Sequence, residues 1–225
     1  PPPPPPAFSS RSRHTRCSRW SRGLGDVYKR QTSYGGYFAF RGAASAPERV
    51  SRIVEYSWLI GAPSDSVPLA SRLAALPGTK DLMVRMPMSR WAVKEALRQF
   101  GLGRAMDAGT FDDEMIDWAH ALMSHTDTLR NDVLSSPDVI TPIRGQNTEL
   151  LLTDALLSKL EMPVLFLWGA DDPNGGEAVA RAFAPRLPDA ELVVIPHAEH
   201  APWLDDLDTC VEWTREFLLD QERDG

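Results

Sequence analysis

The chain has 225 residues and 43% apolar side chains, enough for one sizeable domain or one domain with an inserted subdomain, and too apolar for global disorder. Its net charge of −7 is unevenly placed: residues 1–31 hold seven basic side chains against one acid, and the remainder holds 17 against 30, a body that repels rather than recruits nucleic acid. No run approaches the roughly 18 uninterrupted apolar residues of a membrane span. Two cysteines, Cys17 and Cys210, neither in a CxxC pair, argue against a zinc site or a disulfide framework. A soluble, cytoplasmic protein is expected, with no cofactor, no metal, and neither a nucleic-acid nor a membrane partner.

Residues 1–6 are all proline, and the stretch after them is basic, Ser-rich and without periodicity. No apolar segment of a secretory signal follows. Residues 1–31 are therefore expected to be a disordered, non-native leader, in preference to an organellar targeting peptide. The native fold is expected to start at Thr32, with the strand that should precede it missing, because Tyr28-Lys29-Arg30-Gln31 is not an apolar run.

From Thr32 the pattern alternates between strand and helix. Ser33-Tyr34-Gly35-Gly36 leads into a helix-capable run, Tyr37 to Ala44. Arg52 to Trp58 is β-rich and is closed by Gly61-Ala62-Pro63. Pro163 to Trp168, ended by Gly169, and Leu192 to Ile195, stopped by Pro196, are continuous apolar runs of the kind buried on both sheet faces. Between them Val179, Phe183 and Leu187 fall on one helix face, and Cys210, Trp213 and Phe217 mark a C-terminal helix. The series implies a parallel α/β sheet.

Residues 63–145 show helical stripes and no convincing strand. Val93, Ala96, Leu97 and Phe100 form one stripe after a start at Pro87. Thr110 with Asp113 suggests a capping box before a face of Met115, Trp118, Ala119, Leu122 and Met123. This segment is expected to be a helical lid inserted into a core made of residues 32–62 and 146–225. Its Met83, Met86, Met88, Trp91, Met106, Met115, Trp118 and Met123 could line an apolar pocket, although packing of helix on helix accounts for any one of them more simply.

Three segments carry chemistry. Ser33 sits at a strand-to-helix turn, where glycines let the chain bend tightly and the helix pack close. Asp172 follows a buried strand in Gly169-Ala170-Asp171-Asp172-Pro173. His200 lies in the loop after the last strand, Pro196-His197-Ala198-Glu199-His200. All three fall just beyond strand C-termini, in the order Ser, Asp, His. His197 is a rival base nearer the strand end. His120 and His125 are five apart, not the four of a zinc pair. Asp172 to Glu177 lacks the ligand and glycine positions of a calcium loop. Gly101-Leu102-Gly103 ends a helix rather than a strand, so it is not a nucleotide loop.

On these residues the chain resembles the α/β-hydrolase family, and from Thr32 it is similar to the lidded, esterase-type members. Gln31 and Glu199 stand where the family pattern has glycine, and the upstream strands and oxyanion loop of the family are not present. The resemblance implies an incomplete α/β-hydrolase sheet flanked by helices, with Ser33 as nucleophile, His200 as general base and acid, Asp172 orienting the imidazole, and the Tyr34 backbone N–H as one oxyanion donor. A serine rather than an aspartate nucleophile disfavours dehalogenase and epoxide hydrolase chemistry. It implies hydrolysis of an ester or related acyl bond of a small apolar substrate. The alternatives are carbon–carbon bond hydrolysis and a truncated fragment with no activity.

Overall fold

A computed structural model describes residues 28–64, 87–143 and 145–219, with 67, 72, 75, 76, 78 and 79 between the first two segments. The leader up to residue 27, Met83 and Met86 lie outside the described residues.

The central sheet is parallel, in the order β1 (Tyr28–Ser33), β2 (Arg52–Leu59), β5 (Val164–Gly169) and β6 (Ala190–Ile195). α1 (Tyr34–Ser45) connects β1 to β2, and α7 (Glu177–Phe183) connects β5 to β6. After β6 the chain forms the short α8 (Pro202–Asp205) and then α9 (Leu207–Leu219). Parallel neighbours need crossovers of this kind, and the crossovers cover the sheet.

One sheet face turns Ile53, Phe166 and Trp168 into a cluster with Phe40 of α1 and Phe183 of α7. The Phe166 ring lies 6.0 Å from Phe40 and 6.1 Å from Phe183, edge to face in both pairs. The other face sets Val54, Leu165 and Leu167 against Cys210 and Phe217 of α9. Each large side chain taken out of water here contributes about 1.5–3 kcal/mol. Arg52 is buried on the α9 side, where its guanidinium lies 5.5 Å from the Phe217 ring and donates to the Phe217 carbonyl.

The strand that was expected to be missing is present. Tyr28 to Thr32 pair in parallel register with Arg52 to Tyr56, so a strand lies within the end of the stretch expected to be leader. Ladder hydrogen bonds use only the backbone, and an edge strand tolerates polar residues that a central strand does not. A second correction concerns α7, which stops at Phe183. A 3-10 turn containing Pro185 follows, and Leu187 is buried from extended backbone rather than from the helix.

Between β2 and β5 lies a block of helices: α2 (Arg90–Leu97), α3 (Gly103–Ala108), α4 (Asp113–His125) and α5 (Thr128–Val139), with a π-helical turn, Arg98–Leu102, joining α2 to α3. The expected capping box is not used. Asp112 caps α4 by accepting from the Met115 N–H at 3.0 Å, while the Thr110 hydroxyl donates to the Ala105 carbonyl. The buried face of α4 is Ile116 and Ala119; Met115 and Trp118 are exposed, as are Trp91 and Phe100. A two-stranded antiparallel ribbon, β3 (Ile140–Thr141) with β4 (Gly145–Gln146), replaces the expected absence of strands. Gln146 ties the two ends of the block together: its Oε1 accepts from Ser64 N–H at 2.9 Å and its Nε2 donates to the Ala62 carbonyl at 2.8 Å. The short α6 (Asp154–Leu157) then leads into β5. No helix among the described residues is long and apolar enough to cross a membrane.

Candidate active site

The site lies at the C-terminal edge of the sheet, where Ser33 ends β1, Asp172 follows β5 and His200 follows β6. Ser33 has φ 55° and ψ −116°, a conformation that non-glycine residues rarely adopt, and the β1–β2 register breaks between Thr32 and Ser33. Such backbone costs on the order of 1–3 kcal/mol and persists only where the surroundings enforce it. It turns the chain from β1 directly into α1, with Tyr34 as the first helical residue.

Asp172 and His200 meet. His200 Nδ1–H donates to Asp172 Oδ2 at 2.8 Å, and the Asp172 side chain is wholly shielded from solvent. The same Oδ2 accepts from the Trp58 backbone N–H at 2.9 Å, while Oδ1 accepts from the backbone N–H and side-chain amide of Asn174 at 2.9 and 3.0 Å. Every partner donates, so the carboxylate acts as an acceptor throughout and its orientation is fixed. Asp171 takes a different path: its side chain is exposed and lies 3.9 Å from the exposed His197. Among the described residues no hydrogen bond joins Ser33 Oγ to His200, although both lie at the same rim.

The histidine loop is pinned residue by residue. The Ala198 carbonyl accepts from Asp171 N–H at 2.9 Å, Glu199 N–H donates to Asp205 Oδ2 at 2.8 Å, and His200 N–H donates to the Gly101 carbonyl of the π-helical turn at 3.1 Å. Burial raises the Asp205 carboxyl above its ordinary range, and the Glu199 N–H pulls it partly back. Glu199 Oε2 accepts from the Arg104 N–H of α3 at 3.1 Å, so the helical block is fastened to the loop beside His200.

Ser57 joins these parts. Its backbone is left-handed, φ 57°, which carries the following Trp58 N–H to Asp172. Its buried hydroxyl accepts from Gly169 N–H at 3.0 Å and donates to the Glu199 carbonyl at 3.1 Å. Ser57→Ala leaves the buried Gly169 N–H and the half-buried Glu199 carbonyl without their bond, a loss of about 1–3 kcal/mol. We expect a lower urea midpoint at unchanged slope; an unchanged midpoint would show that the loop finds other partners.

Ser57, Trp58 and Asn174 are site residues that the sequence reading missed. Asn174 left a signal, because an aspartate followed two residues later by a potential donor is an Asx-turn pattern. Cys210 is not a rival nucleophile, since burial pushes its thiol up to about 12, aided by Asp206 and Asp205. An open groove of about 850 Å³, lined by Thr32, Gly35, Tyr56, Trp203 and residues of α9, includes none of Ser33, Asp172 and His200.

No family model matches the chain. In sequence it is similar to a curated 2-hydroxy-6-oxononadienedioate/2-hydroxy-6-oxononatrienedioate hydrolase from Burkholderia vietnamiensis, with 26% identity over 185 residues, 80% of this chain and 58% of that protein. In structure it is similar to the 2-hydroxy-6-oxo-6-phenylhexa-2,4-dienoate hydrolase of a Rhodococcus species, at a TM-score of 0.65 and 19% identity over 87% of this chain and 65% of that one. The chain has the α/β-hydrolase fold. A thermophilic esterase from Thermogutta terrifontis is also similar, at a TM-score of 0.58 and 21% identity over 90% of this chain and 68% of that one. The chain thus spans less than two thirds of the curated relative and of the Rhodococcus protein. In terms of this α/β-hydrolase fold, β1 and α1 frame the serine turn, and the helical block enters the chain between the second and third strands of the sheet order.

Proposed function

We propose that this chain is a serine hydrolase, with Ser33 as nucleophile, His200 as general base and then acid, and Asp172 as the group that orients the imidazole. The observation that carries the reading is the hydrogen bond from His200 Nδ1 to Oδ2 of the buried Asp172 at 2.8 Å. With Nδ1–H committed to the carboxylate, Nε2 is left as the acceptor that a serine hydroxyl needs. The Ser33 hydroxyl transfers its proton to Nε2 as Oγ attacks a substrate carbonyl. The Tyr34 backbone N–H, in the first turn of α1, is placed to donate to the developing oxyanion, with the helix dipole in its favour. His200 returns the proton to the leaving group, and water resolves the acyl-enzyme by the same steps in reverse. Contact between nucleophile and base closes with substrate bound, as catalytic hydrogen bonds commonly do.

The substrate is a small carbonyl compound, and the helical block fastened to the histidine loop acts as a lid that sets its shape. Two bond classes share this first step: an ester, which loses an alkoxide, and an activated ketone, which loses a carbon leaving group. Esterase chemistry agrees with the likeness to the Thermogutta esterase. Carbon–carbon hydrolysis has specific support, because the two relatives above are named as hydrolases of 2-hydroxy-6-oxo acids, ketones that contain no ester bond. The test has two parts. Labelling with a fluorophosphonate, followed by peptide mass spectrometry, should place the label on Ser33; a label elsewhere, or none on the folded chain, rejects the reading. Turnover of p-nitrophenyl acetate against 2-hydroxy-6-oxo-6-phenylhexa-2,4-dienoate then decides the bond class.

A further inference from the structure

After Arg52, the β2 run holds one charged residue, Glu55, among apolar, aromatic and hydroxyl side chains. Glu55 is fully buried, and neither carboxyl oxygen has a well-formed hydrogen bond among the described residues. It pairs in register with Gln31 on β1 and Phe166 on β5 and faces α1. A methyl group added at Gly36 would lie 2.3 Å from each of its oxygens, so the carboxyl is pressed against the first turn of the helix that Ser33 opens.

We propose that Glu55 is a positioning residue for the Ser33 turn: its side chain, wedged between β2 and the first turn of α1, holds the Ser33 backbone in the left-handed conformation that points the hydroxyl at the rim. The inference rests on the reading of Ser33 as nucleophile. The positive φ at Ser33 has to be enforced from outside, since serine gains nothing from it. On the strand side the register break at Thr32/Ser33 supplies one constraint. On the helix side Glu55 supplies the other, and the polar group that acts on its carboxyl is the Ser33 backbone N–H. A leucine of similar size would fill this space without burying a polar group, so the acid is the costlier choice for packing alone.

Burial pushes the Glu55 carboxyl well above the ordinary range, and the Ser33 N–H acts against this more weakly. Burial thus favours the uncharged form, whose shape and hydrogen-bonding groups glutamine reproduces. Gly36 is what allows the acid to approach the turn so closely.

The experiment measures amide hydrogen exchange at residues 33–36, fluorophosphonate labelling of Ser33 and the melting temperature in the native chain, Glu55→Gln and Glu55→Leu. The expected result is conservative rescue by glutamine, within threefold of native in exchange and labelling. Leucine should keep the melting temperature yet exchange at least tenfold faster at 33–36 and label at least tenfold more slowly. Should Glu55→Leu not fold, Gly36→Ala, which drives the carboxyl away from the turn, is expected to give the same faster exchange. Native-like exchange in Glu55→Leu, or in Gly36→Ala, overturns the proposal. Faster exchange in a protein whose Ser33 never takes the label would uphold Glu55 as the holder of the turn and reject Ser33 as nucleophile. Full labelling with unchanged exchange in the leucine variant would do the reverse.

Discussion

Asp172→Asn should lower turnover by about 10⁴-fold, the cost of the same change in serine proteases with this arrangement. The carboxylate is an acceptor for four donors: His200 Nδ1 and the Trp58 N–H on Oδ2, and the two Asn174 groups on Oδ1. An amide has only one acceptor atom, so its NH₂ must face one of these pairs. Turned toward Oδ2, it forces Nδ1 to accept and moves the ring proton to Nε2, where it blocks proton transfer from Ser33. Turned toward Oδ1, it confronts the Asn174 backbone N–H, which cannot reorient. Each arrangement leaves a buried donor unmet, and about 1–3 kcal/mol of stability is lost along with the activity. Asp171→Asn and Glu199→Gln serve as neighbours for comparison. Asp171 is exposed and near His197, and Glu199 reaches away to the Arg104 N–H, so each should cost about tenfold or less. Turnover of the three variants on one substrate, with circular dichroism to check folding, makes the comparison. A crippled Asp171→Asn beside an active Asp172→Asn would shift the acid by one residue.

The parts of this fold that were legible in the sequence are those in which side-chain chemistry decides the structure. β5 announced itself as an apolar run because it is buried along its whole length, and β6, the other edge strand, did so because its own run is apolar although only half-buried; the loops after them delivered Asp172 and His200 to one rim. β1 did not, because an edge strand is held by backbone pairing with β2 and its own run is polar. In α4 the periodicity located a helix but not its inner face. Ile116 and Ala119 point inward while Trp118 is exposed, since a partner surface rather than the spacing selects the face. The supports of the site were hidden for a related reason. Trp58 contributes a backbone N–H, and its direction depends on the left-handed Ser57 before it, which no side-chain pattern encodes. Glu55 did leave a mark, as an acid within a β-rich run, and that mark gains meaning only once Gly36 is seen against it.

The second large effect is expected at Gly169, where the end of β5 passes directly beneath the histidine loop. A methyl group there would lie 2.1 Å from the Glu199 carbonyl oxygen and 2.6 Å from that of Ala198. Both are backbone atoms, so the clash cannot be relieved by rotating a side chain, and residues 198–199 must move. That displacement strains the bonds from Asp171 N–H to Ala198 and from the Ser57 hydroxyl to Glu199, and it shifts His200 at the next position. Overpacking of this kind costs about 3 kcal/mol. A shift of about 1 Å in a catalytic group costs about 100-fold in rate. Gly169→Ala should therefore lose about 3 kcal/mol in urea unfolding and about 100-fold in turnover. Gly42→Ala is the control for the substitution itself. Gly42 lies inside α1 with open space where the methyl would go, so alanine there should add about 0.5–1 kcal/mol through helix propensity and leave turnover unchanged. Native stability and turnover in Gly169→Ala would mean that the loop yields at little cost, and that the close crossing over β5 is not what holds His200 against Asp172.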